Sequence, residues 1–338
     1  MRTLAEVYRQ FGEAATTSPL LARVALALSG SDEAMAALEA APARRRQPQL
    51  VLAALHDLAL AGRAPALAAD TAIETLVGMT ADVVTILERR RVRTVDAARC
   101  AVLYPAVAEA ARRVGADAVG LIGVASSAGL DLHLDRVGIT YGDGPRLGDP
   151  SSPVQLTPSV VGGGQVPGRA VPEVVARISV DPEPLDLTDP ADVRWLRACL
   201  PPDQPDRRAR LEAELTVVGS APPVLLEGDP VDLLGAAIAL VPAGVLPVVT
   251  TTWALSALST ERRQRVLDRL GEAAASRAVA WVSAEGVGVA PSVPTFGDRP
   301  ASGHSIIGLA LLHRGSRQVE AVGRCWSRGR LLSWSAGS

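Results

Sequence analysis

The chain of 338 residues contains no lysine and no asparagine, so apart from histidine all of its positive side-chain charge is arginine. Without lysine there is no Schiff base to pyridoxal phosphate, no phosphate-binding lysine of the P-loop type and no Ser-Lys nucleophile pair. Without asparagine, a Cys-His-Asn triad is excluded as well. The composition alone therefore removes these classes of enzyme.

Cysteine is also scarce. Cys100, Cys199 and Cys325 are far apart, odd in number and form no CxxC pair, which indicates neither a zinc site nor a disulfide framework. The four histidines show no paired spacing typical of a metal site. The N-terminal residues carry charges throughout and have no apolar core, so they do not resemble a signal peptide. We therefore predict a cytoplasmic protein without a bound metal.

Charge and hydropathy limit the kinds of partner that we expect for this protein. The formal net charge of −2 gives no electrostatic reason to bind nucleic acid or an anionic membrane. An uncharged stretch runs from Leu233 to Thr260, but Pro242, Gly244 and Pro247 interrupt it. A buried helix followed by a buried strand explains this stretch better than a membrane span. We expect a small-molecule substrate and neither a nucleic-acid nor a membrane partner, and we leave a homodimer open.

Residues 1–115 are predicted to form an all-helical N-terminal domain. Apolar residues recur there at three- and four-residue spacing, which is the period of an amphipathic helix. The last of these helices is predicted from Val95 to Val114 and ends at Gly115. The earlier ones are predicted at Leu4–Ala15, Leu20–Leu28, Asp32–Ala41, Pro48–Ala61 and Ala81–Arg91.

Residues 116–338 alternate between strands and helices, which predicts an α/β domain with a mostly parallel, doubly wound sheet. The apolar run Ala118–Val124 is typical of a buried strand, and the small residues Ala125–Gly129 after it predict a turn into a helix. An insertion at residues 133–173 is predicted to contain a hairpin around Tyr141–Gly144. The chain closes with an antiparallel pair, predicted at the edge of the sheet. The strands are predicted at Val174–Val180, Val224–Leu226, Leu246–Thr251, Ala278–Ser283, Ile306–His313 and Gln318–Ser327.

Ligands of such sheets lie beyond the carboxyl ends of the strands, near the point where the strand order reverses. Small residues after the first strand, Ala125, Ser127 and Gly129, would let a backbone approach a ligand closely. Asp181, past the second strand, could accept hydrogen bonds from ribose hydroxyls, and Asp229, past the third, could meet an adenine amine. Each position has a structural alternative: tight strand packing, a turn before the following proline, and a helix N-cap, respectively.

Two further residues are candidates for acid/base chemistry. His56 lies in the middle of a predicted helix, where a packed histidine is the plain alternative to a general acid or base. Glu285 follows a strand at the end that would face a ligand, and its alternative is a solvated acid in a loop.

In its segments and their order the chain resembles a bacterial family of unknown function, domain-of-unknown-function family 2332, over nearly its whole length. The resemblance implies a class I methyltransferase-like (Rossmann-like) α/β fold, with the reversed strands at the C-terminus. The most specific match runs from Asp181 to Pro190 and continues to Arg194-Trp195-Leu196 and Pro202-Asp203-Gln204.

The chain also departs from the family pattern. The family usually has an acid two residues before the loop and a glycine that opens it, where this chain has Gly123 and Ala125. Asp131 adds a negative charge where the family carries a neutral amide, and Thr94-Val95-Asp96 replaces Thr-Asn-Glu. Losing the acid and the glycine weakens the case for S-adenosylmethionine, because both normally hold its amino-acid half.

The leading hypothesis is a small-molecule enzyme on an S-adenosylmethionine-dependent, methyltransferase-like scaffold, repurposed in specialised metabolism. The helical domain would cover the pocket, with the cofactor across Ala125–Gly129, Asp181 and Asp229. The alternative is a non-catalytic ligand-binding or regulatory protein that kept the fold and lost the cofactor. In the enzyme hypothesis the mouth of the pocket and its acid/base groups are Asp96, Arg99, Asp131, His56 and Glu285.

Overall fold

A computed structural model describes residues 2–93 and 96–335. The chain forms two compact units. One is built from the chain before residue 96 together with Thr188–Glu212, and the other from Asp96–Leu187 together with the chain after residue 212. This division differs from the predicted one at residue 115, because the last N-terminal helix belongs to the α/β unit and a later segment returns to the helical unit. Val95, where that helix was predicted to begin, lies outside the described residues, as does Thr94.

The helical unit packs around one apolar helix, Pro48–Leu60, which is buried over most of its length. Side chains also tie the returning segment to this unit. The Asp203 carboxylate accepts hydrogen bonds from the Ser18 hydroxyl (2.6 Å) and the Leu20 amide (2.8 Å), and the Arg194 guanidinium pairs with Asp57 (2.9 Å). The helices of this part of the chain are α1 (Leu4–Ala14), α2 (Pro19–Ser29), α3 (Asp32–Leu38), α4 (Pro48–Leu60), α5 (Ala72–Gly78), α6 (Thr80–Arg89) and α8 (Pro190–Ala198).

The α/β unit is organised by a nine-stranded sheet. Its spatial order is β5-β12-β11-β10-β9-β8-β1-β6-β7. The five adjacent strands β7, β6, β1, β8 and β9 are parallel to one another. This confirms the prediction of a large, mostly parallel sheet with helices. Its strands are β1 (Ala118–Val124), β5 (Ser159–Val160), β6 (Glu173–Asp181), β7 (Val224–Glu227), β8 (Leu246–Thr252), β9 (Val279–Gly286), β10 (Ser305–His313), β11 (Ser316–Trp326) and β12 (Leu331–Trp334).

Three helices lie wholly in this unit: α7 (Ala98–Val114), α10 (Leu234–Ala239) and α11 (Thr260–Ala273). Helix α7 packs against β8, β9 and β10, whereas α10 and α11 pack against each other and close a core with Ile122, Val249 and Trp281. Helix α9 (Pro205–Gly219) starts in the returning segment of the helical unit and runs past residue 212. The helices that meet the sheet present apolar residues to it, as doubly wound layers require.

The predicted turn from β1 into a helix is wrong. After Val124 the chain makes a single 3-10 turn at Leu130–Leu132 and then enters a small three-stranded sheet. Gly129 adopts a left-handed conformation (φ 65°) that sends the chain away from a helical path. The hairpin predicted around Tyr141–Gly144 is confirmed in this sheet, which consists of β2 (Gly138–Thr140), β3 (Arg146–Gly148) and β4 (Gln155–Leu156).

The closing antiparallel pair is confirmed as β10 and β11, joined across Arg314-Gly315. It is not the edge of the sheet, because β12 pairs with β11 and β5 pairs with β12. No helix among residues 2–93 and 96–335 is both long enough and apolar enough to cross a membrane.

Candidate functional site at the carboxyl edge

The carboxyl ends of β1, β6, β7, β8 and β9 share one edge of the sheet, here called the carboxyl edge. From β1 the chain continues to β6 on one side, while β8 and β9 are added on the other, so the strand order reverses between β1 and β8. This is the position at which open α/β sheets bind their ligands. The carboxyl edge therefore divides into a β6 side and a β8 side.

The loop after β1 is closed by packing. A Cβ on Gly129 would lie 2.7 Å from Cγ of Pro223, and a Cβ on Gly123 would lie 2.5 Å from Cβ of Ser126. The Ser127 carbonyl accepts a hydrogen bond from the Leu185 amide (2.8 Å). The small residues of this loop thus let it fold back onto the protein itself, which is the structural alternative to close contact with a ligand.

Asp181 and Asp229 on the β6 side are engaged with their own chain. Asp181 is 2% exposed and accepts a hydrogen bond from the Glu183 amide (2.8 Å), which shapes the turn after β6. One oxygen of Asp229 accepts from the Val231 amide (2.9 Å), and the other pairs with the Arg262 guanidinium. Both carboxylates therefore already have partners where a nucleoside would need them.

The residues of the β6 side do not fit S-adenosylmethionine in the position that the resemblance implies. Nucleotide sites of this kind need a backbone that a ligand can approach and a helix that starts at the first loop. Here the loop is filled by Pro223 and Ser126, and a 3-10 turn replaces the helix. Binding of the cofactor stays a prediction, which titration tests.

A chain of polar side chains crosses the β8 side. Arg99, in the first turn of α7, donates to the Thr252 hydroxyl (3.2 Å), and this hydroxyl donates to Asp131 (3.1 Å). The other Asp131 oxygen accepts from the Ser126 hydroxyl. Asp131, Thr252 and Ser126 are each 5% exposed. These three side chains are therefore shielded from water, which strengthens the hydrogen bonds between them.

Trp253 lies beside this chain at the end of β8. Its indole donates to the Ser305 hydroxyl (2.7 Å), and the Arg99 guanidinium lies over its ring, 5.4 Å from the centroid. The Trp253 backbone is left-handed (φ 53°), which is strained for a residue with a bulky side chain. A half-buried arginine and a half-buried tryptophan are thus held together at the switch point.

Glu285 binds the backbone of the loop after β8. It is 0% exposed, and its Oε1 accepts hydrogen bonds from the amides of Ala254 (3.0 Å) and Leu255 (3.2 Å). Its Oε2 is buried and has no hydrogen-bond partner within the part of the chain that is described. Burial raises the pKa of this carboxyl to about 7, against the opposing effect of the two amides. The structure therefore places Glu285 in the interior, away from the solvated loop of its alternative.

Backbone strain is concentrated at the carboxyl edge. Seven non-glycine residues of the described chain have positive φ, and six of them lie at this edge or in the loop that joins β9 to β10 there. The exception, Arg314, is in the β10–β11 hairpin at the opposite edge. Strained backbone of this kind clusters at active sites and ligand clamps. The six are Ala125, Trp253, Ser292, Phe296, Ser327 and Arg328.

The predicted acid/base residues fall in different places. Arg99 and Asp131 meet at Thr252, while Asp96 accepts a hydrogen bond from the Ala98 amide (3.0 Å) just before α7. His56 belongs to the helical unit, where it is buried and its Nδ1 lies 3.2 Å from the Ala198 carbonyl. Burial lowers the pKa of His56, which favours the neutral ring of a packed histidine.

Sequence reasoning missed Thr252 and Trp253, and it included Ser126 only as part of the loop Ala125–Gly129. The available signal was the uncharged strand β8, which ends in Thr250-Thr251-Thr252. Ligands lie beyond the carboxyl ends of the strands on both sides of the switch point, so the end of β8 is as good a candidate as the end of β1. It also missed Asp298, which pairs with Arg324 (2.6 Å) and His304 (2.8 Å) in and beside the β9–β10 loop. Within residues 2–93 and 96–335, no three metal-ligating side chains lie together as a metal ion would require.

Comparison with known proteins gives a family and nothing further. The model of family DUF2332, described as "Uncharacterized protein conserved in bacteria", matches residues 5–334. Comparison with the curated proteins and with the solved structures gives no match. The role of the β8 side therefore rests on this chain's own residues. The chain belongs to the bacterial family DUF2332.

Proposed function

We propose that this protein is a small-molecule enzyme on a repurposed, methyltransferase-like scaffold, with its reaction centre on the β8 side of the carboxyl edge. Support for the scaffold comes from the parallel strand order β7-β6-β1-β8-β9 followed by the antiparallel β10. The observation that carries the proposal is the hydrogen-bonded chain Arg99–Thr252–Asp131–Ser126 at the switch point.

This arrangement supports proton transfer and charge stabilisation. Asp131 accepts from two hydroxyls, so a substrate proton can reach it through Ser126 or Thr252. Arg99 is a permanent cation, which can stabilise negative charge that develops on a substrate. Neither role requires a nucleotide.

The test is consumption of a substrate. Purified protein is incubated with a bacterial metabolite extract, with and without S-adenosylmethionine, and the mixture is followed by mass spectrometry. We expect time-dependent loss of one compound, reduced about 100-fold or more in Asp131→Asn because a proton-transfer group is lost. The matched control is Asp268→Asn, an exposed carboxylate on α11. Thermal unfolding of each variant shows that it is folded.

A non-catalytic protein is the second candidate, and the engaged carboxylates of the β6 side favour it over a cofactor-dependent enzyme. Calorimetric titration with S-adenosylmethionine and S-adenosylhomocysteine separates the cases. Micromolar binding that Asp181→Ala weakens would restore the cofactor hypothesis. If no compound is consumed in any extract, and the metabolite profile with Asp131→Asn is the same as with the native protein, the enzyme hypothesis is contradicted and the binding protein is favoured.

A further inference from the structure

Arg99 is an arginine whose charge no carboxylate neutralises directly. The only hydrogen bond of its guanidinium in the described chain goes to the Thr252 hydroxyl (3.2 Å), and this guanidinium forms no ion pair with a carboxylate in that part of the chain. A guanidinium has five N–H donors in a planar fork. Most of this fork is therefore available, on a side chain that is only half buried.

The contacts around Arg99 fix its orientation. The central carbon of the guanidinium lies over the Trp253 indole, 5.4 Å from the ring centroid, and that indole donates a hydrogen bond to Ser305. Thr252 cannot shift freely toward a ligand, because its hydroxyl proton is donated to Asp131. A planar guanidinium held beside a fixed ring suits bidentate recognition of a planar anion.

The start of α7 does not supply this anion site. The Ala98 amide is bound by Asp96 (3.0 Å), and the Ala97 amide is bound by Glu214 (2.9 Å). These carboxylates already take the positive end of the helix. Any anion must therefore be held by the Arg99 side chain.

The local charge selects the kind of anion. Asp131 is separated from Arg99 only by the Thr252 hydroxyl, so a single cation is set against a nearby carboxylate. Removing a phosphate dianion from water costs more than removing a singly charged carboxylate, and the one guanidinium beside Asp131 offsets less of that cost. A singly charged carboxylate meets less, and a hydrogen-bond donor beside it can bind to Asp131, which has further acceptor capacity.

We propose that the Arg99–Trp253 pair binds the carboxylate of a small organic acid that carries a hydroxyl or amino donor next to that carboxylate. This inference rests on the proposed function and names the substrate class of the same site. Arg99 binds the carboxylate of the ligand, Trp253 lies beside the bound acid, and Asp131 accepts a hydrogen bond from the neighbouring hydroxyl or amino group.

The experiment monitors the tryptophan indole N–H signals of the ¹⁵N-labelled full-length chain by NMR. The chain has five tryptophans, and Trp253→Phe identifies the signal of interest. The probes are lactate, propionate, lactamide and inorganic phosphate at constant ionic strength, each to about 100 mM, well above the millimolar dissociation constants of weak ligands. Lactate has both groups, propionate lacks the donor, and lactamide lacks the charge.

We expect lactate to shift the Trp253 signal with saturation, and propionate, lactamide and phosphate to bind more weakly. Arg99→Gln should weaken lactate binding about 10-fold or more, and Arg99→Lys should fall between it and the native protein, because lysine keeps the charge and loses the fork. The matched control is Arg136→Gln, since Arg136 is also half buried and also donates to a serine hydroxyl, that of Ser220 (3.1 Å). The control should bind lactate normally.

Three results would overturn the inference: no saturable shift with lactate, phosphate binding at least as tight as lactate binding, or normal binding by Arg99→Gln. Turnover lost in Asp131→Asn while no carboxylate binds would sink the inference and leave the enzyme. Lactate binding at Arg99 without any turnover would support the inference and remove the enzyme.

Discussion

The two sides of the carboxyl edge use similar residues for opposite purposes. On the β6 side, Asp181 and Asp229 are satisfied by amides and by Arg262, and Pro223 fills the space beside Gly129. On the β8 side, Arg99 keeps open donors, and Glu285 keeps a buried oxygen without a partner in the described chain. Evolution usually removes such unsatisfied groups from a stable fold, since a buried polar atom without a partner costs about 1–3 kcal/mol. This contrast between a closed β6 side and an incomplete β8 side is the reason that the proposed reaction centre lies on the β8 side.

The largest effect is expected from Gly129→Ala on the β6 side. The substitution meets a left-handed backbone, which costs about 1–2 kcal/mol, and an overpacked contact with Pro223, which adds about 1–3 kcal/mol. We expect the free energy of unfolding to fall by about 3 kcal/mol in denaturant titration. Gly115→Ala is the matched control, because Gly115 has φ 68° and nothing within 4 Å of the added Cβ. It should cost about 1–2 kcal/mol, which is the left-handed backbone alone. Equal losses in both variants would show that the β1 loop is not closed by packing.

The next effect concerns Glu285 and pH. Because burial raises its folded pKa from 4.5 to about 7, the stability it contributes is fully present below pH 4.5 and is lost as pH rises through 7. In the native protein, Glu285 should lower the free energy of unfolding by about 2–3 kcal/mol as pH rises over this range. Glu285→Gln should not show this decrease when both proteins are compared by denaturant titration from about pH 4.5 to 8.5. Burial lowers the pKa of His56 and of His133, which changes stability with pH in the opposite direction, so the difference between the two proteins is the readout. Parallel curves for the two proteins would show that Glu285 is ionised throughout.

The smallest effect is expected at the border between the two sides. Ala125 is exposed and left-handed (φ 54°), so Ala125→Gly should relieve strain and raise the free energy of unfolding by about 0.5–1 kcal/mol. The control is Arg314→Gly, a left-handed position in the hairpin at the opposite edge, which should gain a similar amount. If the strain serves the site, only Ala125→Gly should change lactate binding or turnover. An unchanged site in both variants would remove strain as an argument for function.

The sequence predicted those features that depend on local periodicity. The strand before Ala125, the strand ending at Thr252 and the pair across Arg314-Gly315 lie where apolar runs and turn residues place them. The short helix Ala72–Gly78 was missed, because seven residues give too few periods to stand out. The helix expected after β1 was wrong because small residues permit a close turn without specifying the element that comes after it.

The candidate site was partly predictable for a different reason. Arg99 and Asp131 were named from the sequence, yet the residue that joins them, Thr252, lies more than a hundred positions away and depends on the pairing of β1 with β8. No local signal reports such a pairing. Likewise, nothing in the local sequence shows that Asp229 is neutralised by Arg262 on another element.

The division into units has a consequence for how the chain is made. The polypeptide passes between the two units three times, at residues 95/96, 187/188 and 212/213. Asp203, which binds Ser18 and Leu20, is synthesised long after α2. The helical unit comes first from the ribosome, yet it is incomplete until residue 212 has emerged. It must therefore wait until β1 and β6 have been synthesised, although an N-terminal domain ordinarily folds ahead of the chain that comes after it.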